Sequence, residues 1–127
     1  KFTNAILKKK RIYLYNKGNH YRDYSYIDDI ARGIINTIKI KPKNKLIPYD
    51  IFNLGNGKSI NLKIFLKELQ SQLKQTTKIK LLKKQQGDTF KTHSNIKKAK
   101  KILKFRSKVN YKKGISNFIK WYKDFYK

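Results

Sequence analysis

Three segments of the sequence place an apolar residue at every third or fourth position, the spacing that lines one face of an α-helix. Because such helices gain most of their stability from burying that face, the chain is expected to build a core rather than stay disordered. Asn61 and Asn110 precede the second and third segments and are suited to cap those helices. The three stripes are Ile27, Ile30, Ile34 and Ile38; Leu62, Phe65, Leu66, Leu69 and Leu73; and Ile115, Phe118, Ile119, Tyr122 and Phe125.

Shorter segments with β-forming residues alternate with these helices. We expect strands at Ile12–Tyr15, 50–57 and 78–82, separated by polar or glycine-containing turns. Residues 2–9 suit the end of a helix, and Ser94 is suited to cap a further helix after it. Strand and helix thus alternate within 127 residues, which predicts one domain of α/β or α+β class.

The sequence carries 33 Lys and Arg against 7 Asp and Glu, a formal net charge of +26 at pH 7. Such a charge can bind nucleic acid by releasing counterions from its phosphates. Only four of the cations are arginines, however, and the cations are scattered through every segment. The abundance of Lys, Asn, Ile and Tyr is typical of an A/T-rich coding sequence. We therefore interpret the charge mainly as a solvated surface, with nucleic acid as the less favoured partner.

Residue types exclude or disfavour several chemistries. The chain has no cysteine, which excludes disulfides and thiol nucleophiles. Its two histidines, His20 and His93, do not have the spacing of metal ligands. No apolar run approaches the ~18 residues of a membrane span, and the first residues lack the features of a signal peptide. These observations predict a cytoplasmic protein with no membrane partner and no metal.

Two apparent motifs fail when their surroundings are considered. GNGKS resembles the end of a phosphate-binding loop, but the glycine that this loop requires five residues before Gly57 is Phe52. YLYNK has the Tyr-x-x-x-Lys spacing of a dehydrogenase catalytic pair, but Tyr13 and Lys17 span a predicted strand and turn rather than one helical face. No glycine-rich dinucleotide-binding turn follows any predicted strand. The sequence therefore offers no catalytic residue and no NAD site of its own.

Three of the seven acidic residues lie beside an arginine within residues 18–34, GNHYRDYSYIDDIARGI. We expect Asp28 and Asp29 to stabilise the first turn of the following helix. Asp23 can either orient Arg22 or bond the backbone of the nearby turn. Arg22 lies between a strand and a helix, where its planar guanidinium could grip an anionic ligand, and a surface arginine without a ligand is an equally open alternative.

Four blocks of the sequence, in their order, resemble the C-terminal part of the extended short-chain dehydrogenase/reductase family. Within it the best resemblance is to the NAD-dependent nucleotide-sugar epimerases, and most specifically to the UDP-glucuronate 4-epimerases. RDYSYIDDI and FNLGNG point to the family, whereas QQGD, with Gln85 where the galactose type has an arginine, points to the glucuronate type. The blocks are YNKGNHYRDYSYIDDIARGI, YDIFNLGNGKSINLKIFLKELQ, QQGDTFKTHSNIKKAKKILKF and GISNFIKWYKDFYK.

The resemblance implies roles in binding a UDP-sugar. Arg22 would bind the diphosphate, the strand from Tyr13 to Tyr15 would offer backbone hydrogen bonds to the uracil, and Asp88 would accept from a ribose hydroxyl. Gln85 stands where relatives have a second phosphate-contacting side chain. Thr92 stands at a position that lines the sugar pocket. None of these implied roles is catalytic.

By the same resemblance, residues 1–127 are the substrate-binding lobe of a NAD-dependent UDP-sugar 4-epimerase, together with the last strand of its Rossmann sheet. The NAD-binding turn and the catalytic Tyr-x-x-x-Lys would then lie in an N-terminal Rossmann domain upstream of Lys1. The 127 residues alone are expected to be a fragment that binds no NAD and is inactive. A homodimer of the full-length enzyme is a further expectation from the family.

Three departures from the family bear on substrate preference. Gln86 stands where the family usually has proline, Lys91 where it has a small or apolar residue, and Asn95 where it has aspartate. These departures leave the loop geometry and the sugar preference open. A galactose-type epimerase or a nucleotide-sugar 4,6-dehydratase is therefore retained as an alternative.

Overall fold

The computed structural model describes residues 1–42 and 46–126, and within these ranges the protein has five α-helices and four three-residue β-strands. The sequence also predicts a polar loop over residues 41–50, and residues 43–45 of it lie outside the described residues. Each predicted helix is present, and the mixed α/β class is confirmed. The elements are α1 Phe2–Leu7, β1 Ile12–Leu14, β2 Tyr21–Asp23, α2 Ile27–Ile38, β3 Ser59–Asn61, α3 Leu62–Leu73, β4 Ile79–Leu81, α4 Lys97–Leu103 and α5 Tyr111–Phe125.

The strands form two separate pairs. β1 and β4 run parallel, with Ile12 opposite Ile79 and Leu14 opposite Leu81. β2 and β3 run antiparallel, with Arg22 at the centre of the pairing. Because parallel neighbours end at the same edge, the segments that follow β1 and β4 meet there, and this edge is where open α/β sheets bind ligands.

The larger core lies between α1, β1, α3 and α5. Leu66 and Leu69 of α3 are buried, as the predicted stripe requires, and they belong to one cluster with Ile115 and Ile119 of α5. Ile6 of α1 is fully buried in the same cluster. Within the described ranges, no helix combines the length and the apolar character needed to cross a membrane.

Two of the three predicted helix caps are confirmed. Asn61 Oδ1 accepts a hydrogen bond from the Lys63 N–H, and Asn110 Oδ1 accepts one from the Lys113 N–H. The predicted cap at Ser94 is wrong, because α4 begins three residues later, at Lys97, and its first N–H donates to the Asn95 side chain at 3.2 Å.

α2 buries a different face from the one its isoleucines predict. Ile27, Ile34 and Ile38 are 68%, 54% and 80% exposed, whereas Asp29 and Gly33 are buried. The helix packs through this polar and glycine-containing face against a smaller core around α4. Buried members of that core are Ile96, Ala99, Leu103 and Phe105.

Two predicted strands need correction. Residues 50–57 are not a strand in the structure. A strand needs a neighbouring strand to pair with, and no described strand lies beside this segment. Phe52 and Leu54 pack instead against the smaller core. The strand predicted at Ile12–Tyr15 ends one residue earlier, and Tyr15 begins the turn that follows.

Candidate functional site

The segments that follow β1 and β4 run together at the edge where both strands end. Tyr21 N–H donates to the carbonyl of Phe90 at 2.9 Å, and Thr92 N–H donates to the carbonyl of Tyr21 at 3.0 Å. These bonds tie residues 19–23 to residues 88–92. The topology thereby brings Arg22 and Asp88 together, although they are 66 positions apart in sequence.

A turn of unusual backbone conformation fixes where β2 begins. Asn16, Lys17 and Gly18 have φ angles of 48°, 52° and 74°. Left-handed backbone costs most residues roughly 1–2 kcal/mol and costs glycine and asparagine less, which fits the sequence of this turn. The Asn16 amide adds a hydrogen bond to the carbonyl of Asn19 at 2.8 Å.

Arg22 is held from two sides at this edge. Its Nη1 donates to the carbonyls of Tyr21 at 3.0 Å and Phe90 at 3.3 Å, and its Nη2 lies 3.4 Å from Asp88 Oδ1. The side chain remains 29% exposed. A guanidinium held in this way is a fixed cation with donors left for an anion, unlike a free surface arginine.

Asp88 lies between two basic side chains. Its Oδ1 faces Arg22, and its Oδ2 lies 3.0 Å from Nε2 of His20. His20 is only 4% exposed, and its Nε2 makes no well-directed hydrogen bond to any described residue. The Asp88 carboxylate is 26% exposed and can therefore still accept a hydrogen bond from a ligand.

The backbone of Tyr13 faces away from the strand that pairs with β1. Ile12 N–H donates to the carbonyl of Lys78, and the carbonyl of Leu14 accepts from the N–H of Leu82. In a parallel pair the intervening residue points its N–H and C=O to the other side. No described strand pairs with β1 on that side, so the Tyr13 peptide groups can meet a planar donor–acceptor group.

Gln85 and Thr92 bracket Asp88 in the loop after β4. The carbonyl of Gln85 accepts from the Asp88 N–H at 3.3 Å in a turn that contains Gly87 at φ 78°, and its side chain is exposed. The Thr92 hydroxyl accepts from the Asp23 N–H at 3.1 Å. Gln85 thus lies in the same turn as Asp88 with an exposed side chain, whereas Thr92 is fixed against β2.

Asp23 bonds backbone rather than Arg22. Its Oδ1 accepts from the N–H of Asn56 at 2.9 Å, and its Oδ2 accepts from the N–H groups of Gly57 at 3.0 Å and Ser94 at 2.9 Å. The turn it holds lies more than thirty positions further along the chain. Asp23 therefore joins β2 to two distant loops and steadies the strand that carries Arg22.

Asp29 also acts at long range, and not as a cap of its own helix. It is 1% exposed, and its Oδ2 accepts from the backbone N–H groups of Lys108 and Val109 and from the hydroxyl of Ser107. Arg32 pairs with its other oxygen. Although burial raises the pKa of Asp29, the hydrogen bonds and Arg32 outweigh burial and hold that pKa below its ordinary value. Asp29 lies in the first turn of α2 as predicted, but its hydrogen bonds go to residues 107–109 rather than to the N–H groups of that turn.

Tyr24 closes the inner side of this region. Its ring stacks on Phe65 of α3 with a centroid distance of 3.9 Å and an interplanar angle of 11°. Burial raises the pKa of Tyr24, and the charge of Arg22 opposes that rise in part. The hydroxyl therefore stays protonated at neutral pH, and the stacked pair forms an apolar wall behind β2.

The arrangement suits binding. Arg22 is a fixed cation that can bind a diphosphate, and Asp88 is a carboxylate that can accept from a hydroxyl. The open edge of β1 at Tyr13 can bond a planar base. In the part of the chain that the structure describes, no three His, Asp or Glu side chains could hold a metal ion together. Gly55 and Gly57 lie in coil before a strand rather than between a strand and a helix, so they do not fit the pyrophosphate of NAD.

Curated relatives match the chain over nearly its whole length, although no family model matches it. An uncharacterized protein of Methanocaldococcus jannaschii is 38% identical over 96% of this chain and 36% of its own length. UDP-glucuronate 4-epimerase 4 of Arabidopsis thaliana is 33% identical over 98% of this chain and 31% of its own. UDP-glucuronate 4-epimerase of Thermodesulfobacterium geofontis is 32% identical over 98% of this chain and 37% of its own length. The chain thus spans between three and about four tenths of the length of these relatives.

Solved structures share the fold at lower identity. UDP-glucose 4-epimerase of Thermotoga maritima, solved with UDP-glucose, has a TM-score of 0.86 at 22% identity over 99% of this chain and 39% of its own. A mutant UDP-glucuronic acid 4-epimerase of Bacillus cereus was solved with a fluorinated UDP-glucuronic acid and NAD. It has a TM-score of 0.85 at 23% identity, over 98% of this chain and 39% of its own.

The fold is therefore that of the C-terminal lobe of an extended short-chain dehydrogenase/reductase, as the resemblance in the sequence predicts. More particularly, the chain is homologous to the C-terminal part of the UDP-glucuronate 4-epimerases and related nucleotide-sugar epimerases. The resemblance stated from the sequence is confirmed.

His20 is the site residue that the sequence did not indicate. A single histidine gives no pattern, and its contact with Asp88 exists only because β1 and β4 are parallel neighbours. The position of this histidine, two residues before Arg22, is the one signal that the sequence offers.

Proposed function

We propose that the chain is the UDP-sugar-binding lobe of a NAD-dependent nucleotide-sugar 4-epimerase of the UDP-glucuronate type. In this proposal Arg22 binds the diphosphate, Asp88 accepts from a ribose hydroxyl, and the Tyr13 backbone bonds the uracil, with Tyr15 at the end of that edge. Gln85 assists at the phosphates.

Thr92 lines the sugar pocket in this proposal. Its hydroxyl oxygen accepts from the Asp23 N–H, which fixes the side chain and leaves the O–H able to donate to a sugar hydroxyl. The proposal includes a cytoplasmic location and a homodimer of the whole enzyme, both of which stay predictions.

The observation that carries the proposal is the meeting of Arg22 and Asp88 at the carboxyl edge of β1 and β4. A cation and an acceptor side by side match the alternating charge and hydroxyl groups of a nucleoside diphosphate. A nucleic-acid surface would need many cations and would gain nothing from a carboxylate in its centre. A nucleotide ligand therefore fits this edge better than nucleic acid does.

Catalysis is assigned to residues outside this chain. The relatives are longer, and relatives solved with NAD contain the additional length. We propose that a Rossmann domain N-terminal to residue 1 binds NAD and supplies the catalytic Tyr-x-x-x-Lys. Reading the coding DNA upstream of Lys1 tests this: an open frame with a glycine-rich turn and that motif supports the proposal, and a stop codon or unrelated sequence refutes it.

The binding role is tested on the complete protein that carries this chain. Arg22→Ala is expected to weaken UDP binding at least about tenfold in isothermal titration calorimetry, because a charged, partly buried contact is lost. Arg11→Ala is the matched control, since Arg11 is exposed and lies outside the site. Equal, small effects of the two changes would contradict the proposal. Affinity for DNA that falls steeply with salt but survives Arg22→Ala would favour the nucleic-acid alternative.

The hexose and reaction type are tested on the same protein. Conversion of UDP-glucuronate to UDP-galacturonate is the expected activity. Conversion of UDP-glucose, or loss of water to give a 4-keto-6-deoxy sugar, would assign the protein to the galactose-type epimerases or to the 4,6-dehydratases instead.

A further inference from the structure

A buried histidine, His20, contacts the carboxylate of Asp88 in the proposed site. His20 precedes β2, and its ring is 4% exposed. Its Nε2 lies 3.0 Å from Asp88 Oδ2 and has no aligned hydrogen-bond partner among the described residues. A buried nitrogen without a hydrogen bond costs stability, roughly 1–3 kcal/mol, so its placement against the Asp88 carboxylate favours a functional role.

Asp88 has two partners that compete for it. Its Oδ1 is 3.4 Å from Arg22 Nη2, a long contact, whereas its Oδ2 is closer to His20. An arginine and a carboxylate prefer a two-bond, fork-to-fork pair. Two features oppose that pairing here: the contact of His20 with Oδ2, and the hydrogen bonds of Arg22 Nη1 to the carbonyls of Tyr21 and Phe90. A two-bond pair would neutralise the charge of Arg22 and occupy both oxygens of Asp88, so that neither side chain could bind a ligand.

We propose that His20 is a positioning residue that holds Asp88 away from a two-bond pair with Arg22, so that both side chains remain available to a nucleoside diphosphate. The inference rests on the proposed function. His20 would touch neither the phosphates nor the sugar. It acts through Asp88, and it sets both the affinity for the diphosphate and the preference for a ribose over a deoxyribose.

The charged groups around His20 support this role. Asp88 faces it from the loop after β4, and Arg22 lies on the far side of that carboxylate. On the α3 side, the Lys63 stem passes over Gly18, and the Leu62 N–H donates to the His20 carbonyl at 2.8 Å. The histidine backbone is therefore fixed to α3, and its ring can hold Oδ2 against a rigid support.

The test uses UDP, its 2′-deoxy analogue and inorganic pyrophosphate as probes of the complete protein in calorimetry at constant salt. His20→Leu is expected to weaken UDP binding about tenfold, because the contact that holds Asp88 Oδ2 away from Arg22 is lost. It should also reduce the preference for UDP over the deoxy analogue and weaken pyrophosphate binding. His20→Gln, whose amide can reach the same oxygen, is expected to stay within roughly threefold of the unaltered protein.

A second substitution separates positioning from mere folding. Adding Asp88→Asn to His20→Leu removes the competing charge, so pyrophosphate affinity is expected to recover while the ribose preference stays lost. Failure of pyrophosphate affinity to recover would overturn the inference. If His20→Leu does not fold, His20→Asn, whose amide is too short to reach Asp88, replaces it beside His20→Gln, and equal affinities of these two would overturn the inference.

The two proposals fail in different ways. If the unaltered protein does not bind UDP, the proposed function fails, and the role of His20 fails with it. If the unaltered protein binds UDP and Arg22→Ala abolishes binding, but His20→Leu binds UDP and pyrophosphate as well as the unaltered protein, only the role of His20 fails.

Discussion

At the scale of single residues, Asp29 is expected to matter more to stability than any other acid of its segment. Asp29→Asn removes a buried charge that two backbone N–H groups, a hydroxyl and Arg32 all bond. We expect the free energy of unfolding at pH 7 to fall by about 3 kcal/mol, because several charge-assisted hydrogen bonds to a buried carboxylate are weakened together. Asp28→Asn is the matched control, because Asp28 is adjacent and exposed, and it should change stability by less than about 0.5 kcal/mol.

The contribution of Asp29 depends on pH in a defined direction. Its pKa is lowered in the folded protein, so its stabilisation is present above the unfolded value of about 4 and is lost as pH falls through the lower, folded value. The stability gap between the unaltered protein and Asp29→Asn should therefore shrink in urea unfolding below about pH 4. A gap that grows in acid would contradict this account.

Single residues show what sequence alone can and cannot predict here. Arg22 stands out because arginines are rare in this chain and because it lies between two elements. The partners of Asp23 and Asp29 are loops 33 to 80 positions away, and no local pattern encodes such pairings. The sequence therefore indicates where acids are needed but not which loops they hold.

At the scale of elements, the turn after Leu54 and the loop before α4 approach so closely that only glycine fits at residue 55. A Cβ on Gly55 would lie 2.5 Å from the Cβ of Ser94, and Ser94 cannot move freely because its N–H is bonded to Asp23. We expect Gly55→Ala to cost about 2 kcal/mol of unfolding free energy, measured by urea denaturation.

Gly114→Ala is the control for this close approach. Gly114 lies within α5, and a Cβ there would approach the ring of Tyr26 at 3.3 Å and Val109 Cγ1 at 4.0 Å, both of them side chains. Since alanine is favoured over glycine in helices by about 1 kcal/mol, this change should be neutral or stabilising. Equal losses from both substitutions would show that the approach of the two loops is not what requires glycine at residue 55.

The elements also show why some predictions succeed and others fail. The helices and two asparagine caps depend on local spacing, which the sequence displays directly. The strand predicted at 50–57 depends on a partner, and no described strand supplies one. The face that α2 buries depends on its neighbours in the same way. The helix is present where the spacing predicts it, but its isoleucines lie exposed because another face packs against the smaller core.

At the scale of the whole molecule, two helices leave apolar side chains without cover. Ile34 and Ile38 of α2 are more than half exposed, and so are Trp121 and Phe125 at the end of α5, where their rings stack at 5.4 Å. Exposed apolar area of this kind is typical of surfaces that another domain or protein covers. Because the relatives are more than twice as long as this chain, we infer that the proposed N-terminal domain covers at least Trp121 and Phe125.

Trp121 is the only tryptophan of the chain and can report on that cover. In the 127-residue chain its fluorescence should be quenched readily by acrylamide, since half of the side chain is exposed. In the complete protein, the fluorescence of Trp121 is obtained by subtracting the fluorescence of the Trp121→Phe variant. This fluorescence should resist quenching, because apolar side chains of the N-terminal domain would shield the indole. Equal quenching in both proteins would contradict the inference that the N-terminal domain covers Trp121 and Phe125.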